Sequence, residues 1–208
     1  DEDYFILKGT FDKDGKSSEI QCNLKEGESK NIKKDNKKYK RFSDHIGQFP
    51  IIIISPTDTN LIIENSDVRR KYLDSSIAQY KKSYLQVLIQ YNKTLKQRNS
   101  LLKQFSEREY FDKTVLEIYD KQLIEHGNII HKERINFLKQ LTPVFNKYYS
   151  EISKNNESVN LEYKSQLINN DFEELIQKNQ MQDRISKTTQ VGIHKDDIIF
   201  KMDNYPIK

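Results

Sequence analysis

The sequence predicts an α+β chain, with antiparallel β-strands contributed by both ends and an antiparallel helical arm inserted between them. Three observations lead there. Apolar side chains alternate with period two through YFILKGTF and SSEIQCNL, on either side of the turn-forming DKDG. From Ser66 onward the apolar period changes to three and four residues. Alternation then returns in the last stretch, TTQVGIHKDDIIFKMDNYPIK. The simplest arrangement joins residues 1–65 and 186–208 in one sheet-bearing domain, with 66–185 as the arm.

Taken in order, Tyr4–Phe11 and Ser17–Leu24 read as a hairpin, Gly15 supplying positive φ at its turn. GESKNIKKDNKKYKRF follows as a charged hairpin or loop carrying Lys33, Lys34, Lys37, Lys38, Lys40 and Arg41. Its block from Lys30 to Arg41 holds seven basic residues against one aspartate, a pattern that suits either a phosphate backbone or a solvated loop. PIIIIS at 50–55 reads as a strand with two apolar faces, each needing a covering layer.

Ser66 is the expected cap of the first long helix, with Asp67 in its first turn. There Val68, Tyr72 and Leu73 form the expected buried stripe, and Arg69, Arg70 and Lys71 cover the other face. A second stripe runs through Tyr84, Leu88, Tyr91, Leu95, Leu102 and Phe105, interrupted by Arg98. Leu116, Tyr119, Leu123, His126, Ile130, Glu133 and Phe137 repeat as a heptad, which predicts the partner helix. His126 and Glu133 then belong at a half-exposed edge of that pair. Thr142–Pro143 predicts the start of a third helix ending near Lys154. ESVNLEYKS predicts a strand, and NDFEELIQKNQ a short helix capped by Asn170. Two strands are expected around VGIHKDD, with a turn at Asp203–Asn204.

Composition narrows the function classes. With 35% apolar and 32% charged residues and a mean hydropathy of −0.86, the chain suits long solvent-flanked helices around a modest core. One cysteine, Cys22, leaves no intrachain disulfide and fits a reducing cytoplasm. The longest apolar run has four isoleucines, so no membrane association is expected. The chain opens directly into a strand and ends just after a turn, which gives the expectation of an internal piece of something longer.

Three stretches carry candidate chemistry. In VGIHKDD, Gly192, His194, Lys195, Asp196 and Asp197 leave open a metal site, an oxyanion-sensing loop or a charged surface turn. On a strand, 194 and 196 share a face that 197 does not. In SDVRRKYLD, three cations stand near a helix start, where the dipole disfavours them, so a carboxylate or phosphate partner is expected. In LKQRNSLLK, Lys96, Arg98 and Asn99 lie mid-helix; Arg98 occupies a seam position and must snorkel out or meet an acid. No phosphate loop of the GxxxxGK(S/T) form, nucleophile elbow, CxxC or HExxH occurs. No catalytic, cofactor-binding or metal-ligating residue is therefore assigned within this chain.

These stretches, FILKG at 5–9, SPTDTNLIIENSDVRRKYLD at 55–74, LKQRNSLLK at 95–103 and VGIHKDDIIF at 191–200, resemble in order and spacing the RecF family, SMC-like members of the ABC ATPase group. The resemblance implies part of an ATPase head plus the helical domain standing on it. The Walker A loop would lie upstream, the signature and Walker B elements downstream, with ATP and Mg2+ bound by the intact protein. It further implies an ATP-dependent homodimer that recognises single-strand/double-strand DNA junctions, loads RecA with RecR and RecO, and supports the SOS response. Arg69, Arg70, Leu73 and Asp74 match the family's RR-x-x-LD segment, Lys96–Asn99 its KQRN tetrad, and Ser55, Pro56 and Asp58 a head–arm connection. Residues 192–197 match a loop usually written GPHRDD, with Ile193 in place of proline and Lys195 in place of arginine. On this resemblance Arg69, Arg70, Lys96, Arg98, His194, Lys195, Asp196 and Asp197 are candidates for DNA or interdomain contact. The competing reading from the residues is a self-contained helical interaction module, or a nucleic-acid adaptor acting through its basic loop; a hydrolase using His194 with the two aspartates is a third.

Overall fold

A computed structural model describes residues 3–203 and 205–207. Two ten-residue strands, β1 (Tyr4–Lys13) and β2 (Lys16–Lys25), pair antiparallel across a tight turn where Asp14 and Gly15 both adopt positive φ. β2 continues into β3 (Asn31–Lys34), which pairs with β4 (Lys37–Lys38) through a second turn with positive φ at Asp35 and Asn36. The lysine-rich stretch is thus a β-hairpin on a four-stranded sheet in the order β1-β2-β3-β4. On one face of the sheet Ile20 and Ile32 are buried, and Phe11 stacks on Phe49 at 4.7 Å.

The helical elements are α1 (Asn60–Ile63), α2 (Ser66–Tyr80), α3 (Lys82–Glu107), α4 (Lys113–Ser153) and α5 (Phe172–Ser186). A three-stranded antiparallel sheet joins β5 (Val159–Lys164), β6 (Asp197–Met202) and β7 (Tyr205–Pro206). The chain divides into two compact units. One runs up to Ile53 and takes in Ala78–Lys82; the other comprises Ile54–Ile77 and Ser83–Lys208.

Several expectations are corrected. The strands from the two ends do not share one sheet, because β6 pairs with β5, beside the helices, rather than with β1–β4. The isoleucine tract is no strand: Ile52, Ile53 and Ile54 are 90%, 80% and 89% exposed and form no ladder. Pro143 does not start a helix but sits inside α4, where the Thr142 hydroxyl donates to the Leu138 carbonyl at 2.8 Å near the missing proline N–H. Asn65 rather than Ser66 caps α2, accepting from the Asp67 N–H, and Asp171 rather than Asn170 caps α5, accepting from the Glu174 N–H. Before VGIHKDD there is no strand, since residues 187–192 are turn and coil. The turn expected at Asp203–Asn204 falls partly outside the described residues.

The long helices pair antiparallel, as Arg98 meets Asp120, Thr94 meets Gln122, and Tyr91 lies against Gly127. Leu116, Leu123 and Ile130 are fully buried, as the heptad requires, each contributing about 1.5–3 kcal/mol. The alternate seam positions are displaced by one residue from those expected. Asp120, Gly127, Arg134 and Leu138 are buried, whereas Tyr119, His126, Glu133 and Phe137 are half-buried at the flank. On α2 the buried stripe is Leu73 and Ile77, with Tyr72 exposed, and the two arginines turn inward with that stripe.

Candidate functional site: an arginine-stitched segment

Within the second unit, residues 189–197 thread past α2, α3 and α4, held by four guanidinium groups. Gly192 begins the inner part of this segment at φ 127°. A Cβ there would stand 2.7 Å from Tyr91 Oη and 2.9 Å from Phe172 Cζ, so only glycine fits. Phe172 also fills the space at Gly127, where a Cβ would come within 2.5 Å of its ring. The two glycines thus let one phenylalanine wedge between α4 and the segment.

Arg69 makes a bidentate contact with Asp197, Nε to Oδ1 at 2.6 Å and Nη2 to Oδ2 at 3.0 Å. Its Nη1 donates to the Leu61 and Glu64 carbonyls, so α2 is tied back to the end of α1. Arg70 donates to the Asp196 carbonyl at 2.5 Å and to Asp67. The cations near the start of α2 are therefore compensated by carboxylates and carbonyls of the fold itself.

Arg134, 1% exposed, is the centre of the arrangement. It forks onto Asp74 with two 3.0 Å contacts, and its Nη1 donates to the Ile193 carbonyl at 2.7 Å and to Asp196 at 3.0 Å. Tyr84 donates to the same Asp74, and Tyr163 to Asp196. Burial pushes the Tyr84 and Tyr163 phenols well above their ordinary range, so both remain donors.

Arg98 is also fully buried. It donates to Asp120 at 2.6 Å, to Asp183 at 2.6 Å and to the Thr189 hydroxyl at 2.9 Å. Neighbouring Asn99 accepts from both the N–H and hydroxyl of Thr189, and Asp183 accepts from the Gln190 N–H. Burial raises the carboxyls of Asp120 and Asp183, and Arg98 opposes that rise. The seam arginine thus meets acids, one on α4 and one near the end of α5.

His194 closes the gap between the two arginine clusters. Its Nε2 donates to the Thr189 carbonyl at 3.1 Å and its Nδ1 accepts from the Tyr91 hydroxyl at 2.8 Å, which assigns the neutral tautomer. Burial lowers its pKa to about 4. Asp196 and Asp197 point to different partners, Arg134 and Arg69, so adjacent aspartates lock two separate helices. Lys96 and Lys195 lie outside this arrangement and are exposed.

Sequence reasoning missed Arg134, Asp120 and Asp183 as partners, and Tyr91 and Tyr163. One signal was available: Arg134 stands between Ile130 and Leu138 on α4, an arginine in an apolar stripe just as Arg98 is on α3.

The donor set does not suit a bound triphosphate, because Arg69, Arg98 and Arg134 already face carboxylates that neutralise them in place. Among the described residues no group of three or more His, Cys, Asp or Glu could hold a metal ion, and no helix is long and apolar enough to cross a membrane. What the arrangement can do is mechanical: it fixes a loop rigidly against three helices.

No family model matches the chain. It is 44% identical over 207 residues to the DNA replication and repair protein RecF of Flavobacterium johnsoniae, covering all of this chain and 58% of that protein. It is 38% identical to RecF of Cytophaga hutchinsonii, covering 99% of this chain and 54% of that one. Among solved structures it is similar to the recombination mediator protein RecF-ATP of the RecFOR pathway, with a TM-score of 0.92 and 34% identity over 99% of this chain and 57% of that one. The structure described as RecF-ATPrS gives a TM-score of 0.88. The chain spans little more than half the length of the relatives it matches. Over that whole span it is similar in sequence and in fold to the RecF DNA replication and repair proteins.

Proposed function

We propose that this chain is the arm and part of the head of a DNA-binding ATPase for recombinational repair. The observation that carries the reading is the likeness to RecF-ATP over 99% of the chain at a TM-score of 0.92. On this reading the intact protein binds ATP with Mg2+, dimerises around it, recognises single-strand/double-strand junctions, and acts with RecR and RecO in RecA loading and the SOS response in the cytoplasm. Residues 1–65 serve the head and 66–185 the arm, and 186–208, whose β6 pairs with β5, move with the arm. The stitched segment then has a definite task. Arg69, Arg70, Arg98, His194, Asp196 and Asp197 make residues 189–197 and the long helices one stiff body, so motion at one end of the arm is transmitted to the other. The exposed Lys96 and Lys195 are left to contact DNA or another domain.

The test is ATP hydrolysis by the complete gene product, with and without a gapped duplex. Stimulation of severalfold or more is expected, while the 208-residue chain alone should show no turnover. A complete product that neither binds nor hydrolyses ATP would sink this reading and favour the self-contained adaptor.

A further inference from the structure

The register of the four-stranded sheet places lysines side by side. Lys8 pairs with Gln21, Gln21 with Lys33, and Lys33 with Lys38, so these four residues form one row across β1–β4 on a single face. The next row on that face is Ile6, Asn23 and Asn31. The opposite face carries the buried Ile20 and Ile32, and there Lys34 lies 5.1 Å over the Phe49 ring, with Lys37 as its cross-strand partner. The short hairpin therefore sets lysine opposite lysine twice in succession.

Like charges directly opposite one another destabilise a strand pair. Along the row itself no carboxylate intervenes; the neighbouring Glu19 reaches Lys8 at 4.0 Å, and both side chains are about half exposed. This differs from the second unit, where Arg69, Arg70, Arg98 and Arg134 each meet a carboxylate.

We infer that the polar face of β1–β4, through Lys8, Lys33 and Lys38 with the amides of Gln21, Asn23 and Asn31, is a nucleic-acid contact surface that grips the phosphate backbone without reading sequence. The row crosses three interstrand steps of about 4.8 Å, roughly 14 Å in all. One DNA strand presents a phosphate about every 3.4 Å of rise, so the row spans about four. Lysine is a point charge on a flexible stem, suited to following a backbone rather than to bidentate base recognition. An acidic peptide fits less well, because the row offers no apolar pocket for an anchoring side chain. The inference rests on the reading of DNA as the ligand and adds to it where on this chain the backbone lies.

The experiment measures binding of the complete gene product to a gapped duplex by fluorescence anisotropy between 50 and 200 mM salt. Its variants are Lys33→Gln/Lys38→Gln and, as a charge-matched control on exposed positions of α4, Lys132→Gln/Lys139→Gln. The sheet variant should lower affinity roughly tenfold or more at low salt and reduce the log–log salt slope by about 2, while the control stays within about twofold. Its melting temperature should be unchanged or higher, since a like-charge pair is relieved. If both variants weaken binding equally, net charge alone is responsible and the inference falls. It falls also if the sheet variant binds DNA as wild type does, or if poly-glutamate competes as well as DNA. A wild-type protein that binds no DNA at all would instead overturn the proposed function.

Discussion

The two units of this molecule treat positive charge in opposite ways. On the β1–β4 sheet, half-buried Lys33 and Lys34 stand in register with exposed Lys38 and Lys37, and none of the four is buried. In the helical unit, Arg98 and Arg134 are at most 1% exposed and each is clasped by two carboxylates. The difference follows from desolvation. A guanidinium taken out of water must find its counter-charge inside the fold, and its planar fork can hold two acids at once. An exposed ammonium keeps its water and remains available to an outside anion. Buried charge here fixes geometry; exposed charge is left for a partner.

That contrast can be broken most severely at Arg134. Arg134→Met leaves Asp74 and Asp196 without their main counter-charge, and a loss of about 3–5 kcal/mol is expected in urea unfolding. A loss below about 1 kcal/mol would show the cluster to be decorative. Next in size is the histidine. His194 has a folded pKa of about 4, below its ordinary 6.5, so its contribution is complete above pH 6.5 and is lost as pH falls from there toward 4. Between pH 7.5 and 5 this amounts to about 2 kcal/mol, read as the difference between wild type and His194→Asn. Equal pH dependence in the two proteins would show that His194 is not buried neutral. The smallest effect belongs to Arg69→Lys, which keeps the charge but loses the fork onto Asp197. A cost of about 1 kcal/mol is expected, restored neither by salt nor by pH.

Much of this was legible beforehand, and the failures share a cause. Both long strands, the turn at Gly15, β5 and a helix end near Lys154 follow from local pattern, whereas α5 runs on to Ser186, past the short helix expected over NDFEELIQKNQ. The three motif stretches that stood out in the sequence do converge: Arg69, Arg70, Arg98, His194, Asp196 and Asp197 all enter one network. Lys96 and Lys195 do not. The heptad on α4 was read correctly at Leu116, Leu123 and Ile130 but misread between them. Hydrophobicity favours Tyr119 over Asp120 and is indifferent between Glu133 and Arg134, and only the buried ion pairs with Arg98 and Asp74 put Asp120 and Arg134 inside.

Chain-local chemistry was enough to establish where the backbone turns, where its period changes from two to three or four, and that arginines in apolar stripes would need acids. It was enough, too, to carry the resemblance to RecF, since that lies in short motifs and their spacing. Which acids answer which arginines, and that β6 joins β5 rather than β1–β4, could be settled only by the folded chain. The ion pair of Arg69 and Asp197 joins residues more than a hundred positions apart, and the β5–β6 ladder joins Val159 to Met202 across the whole of α5. No periodicity in a linear sequence encodes a contact at that distance; packing does.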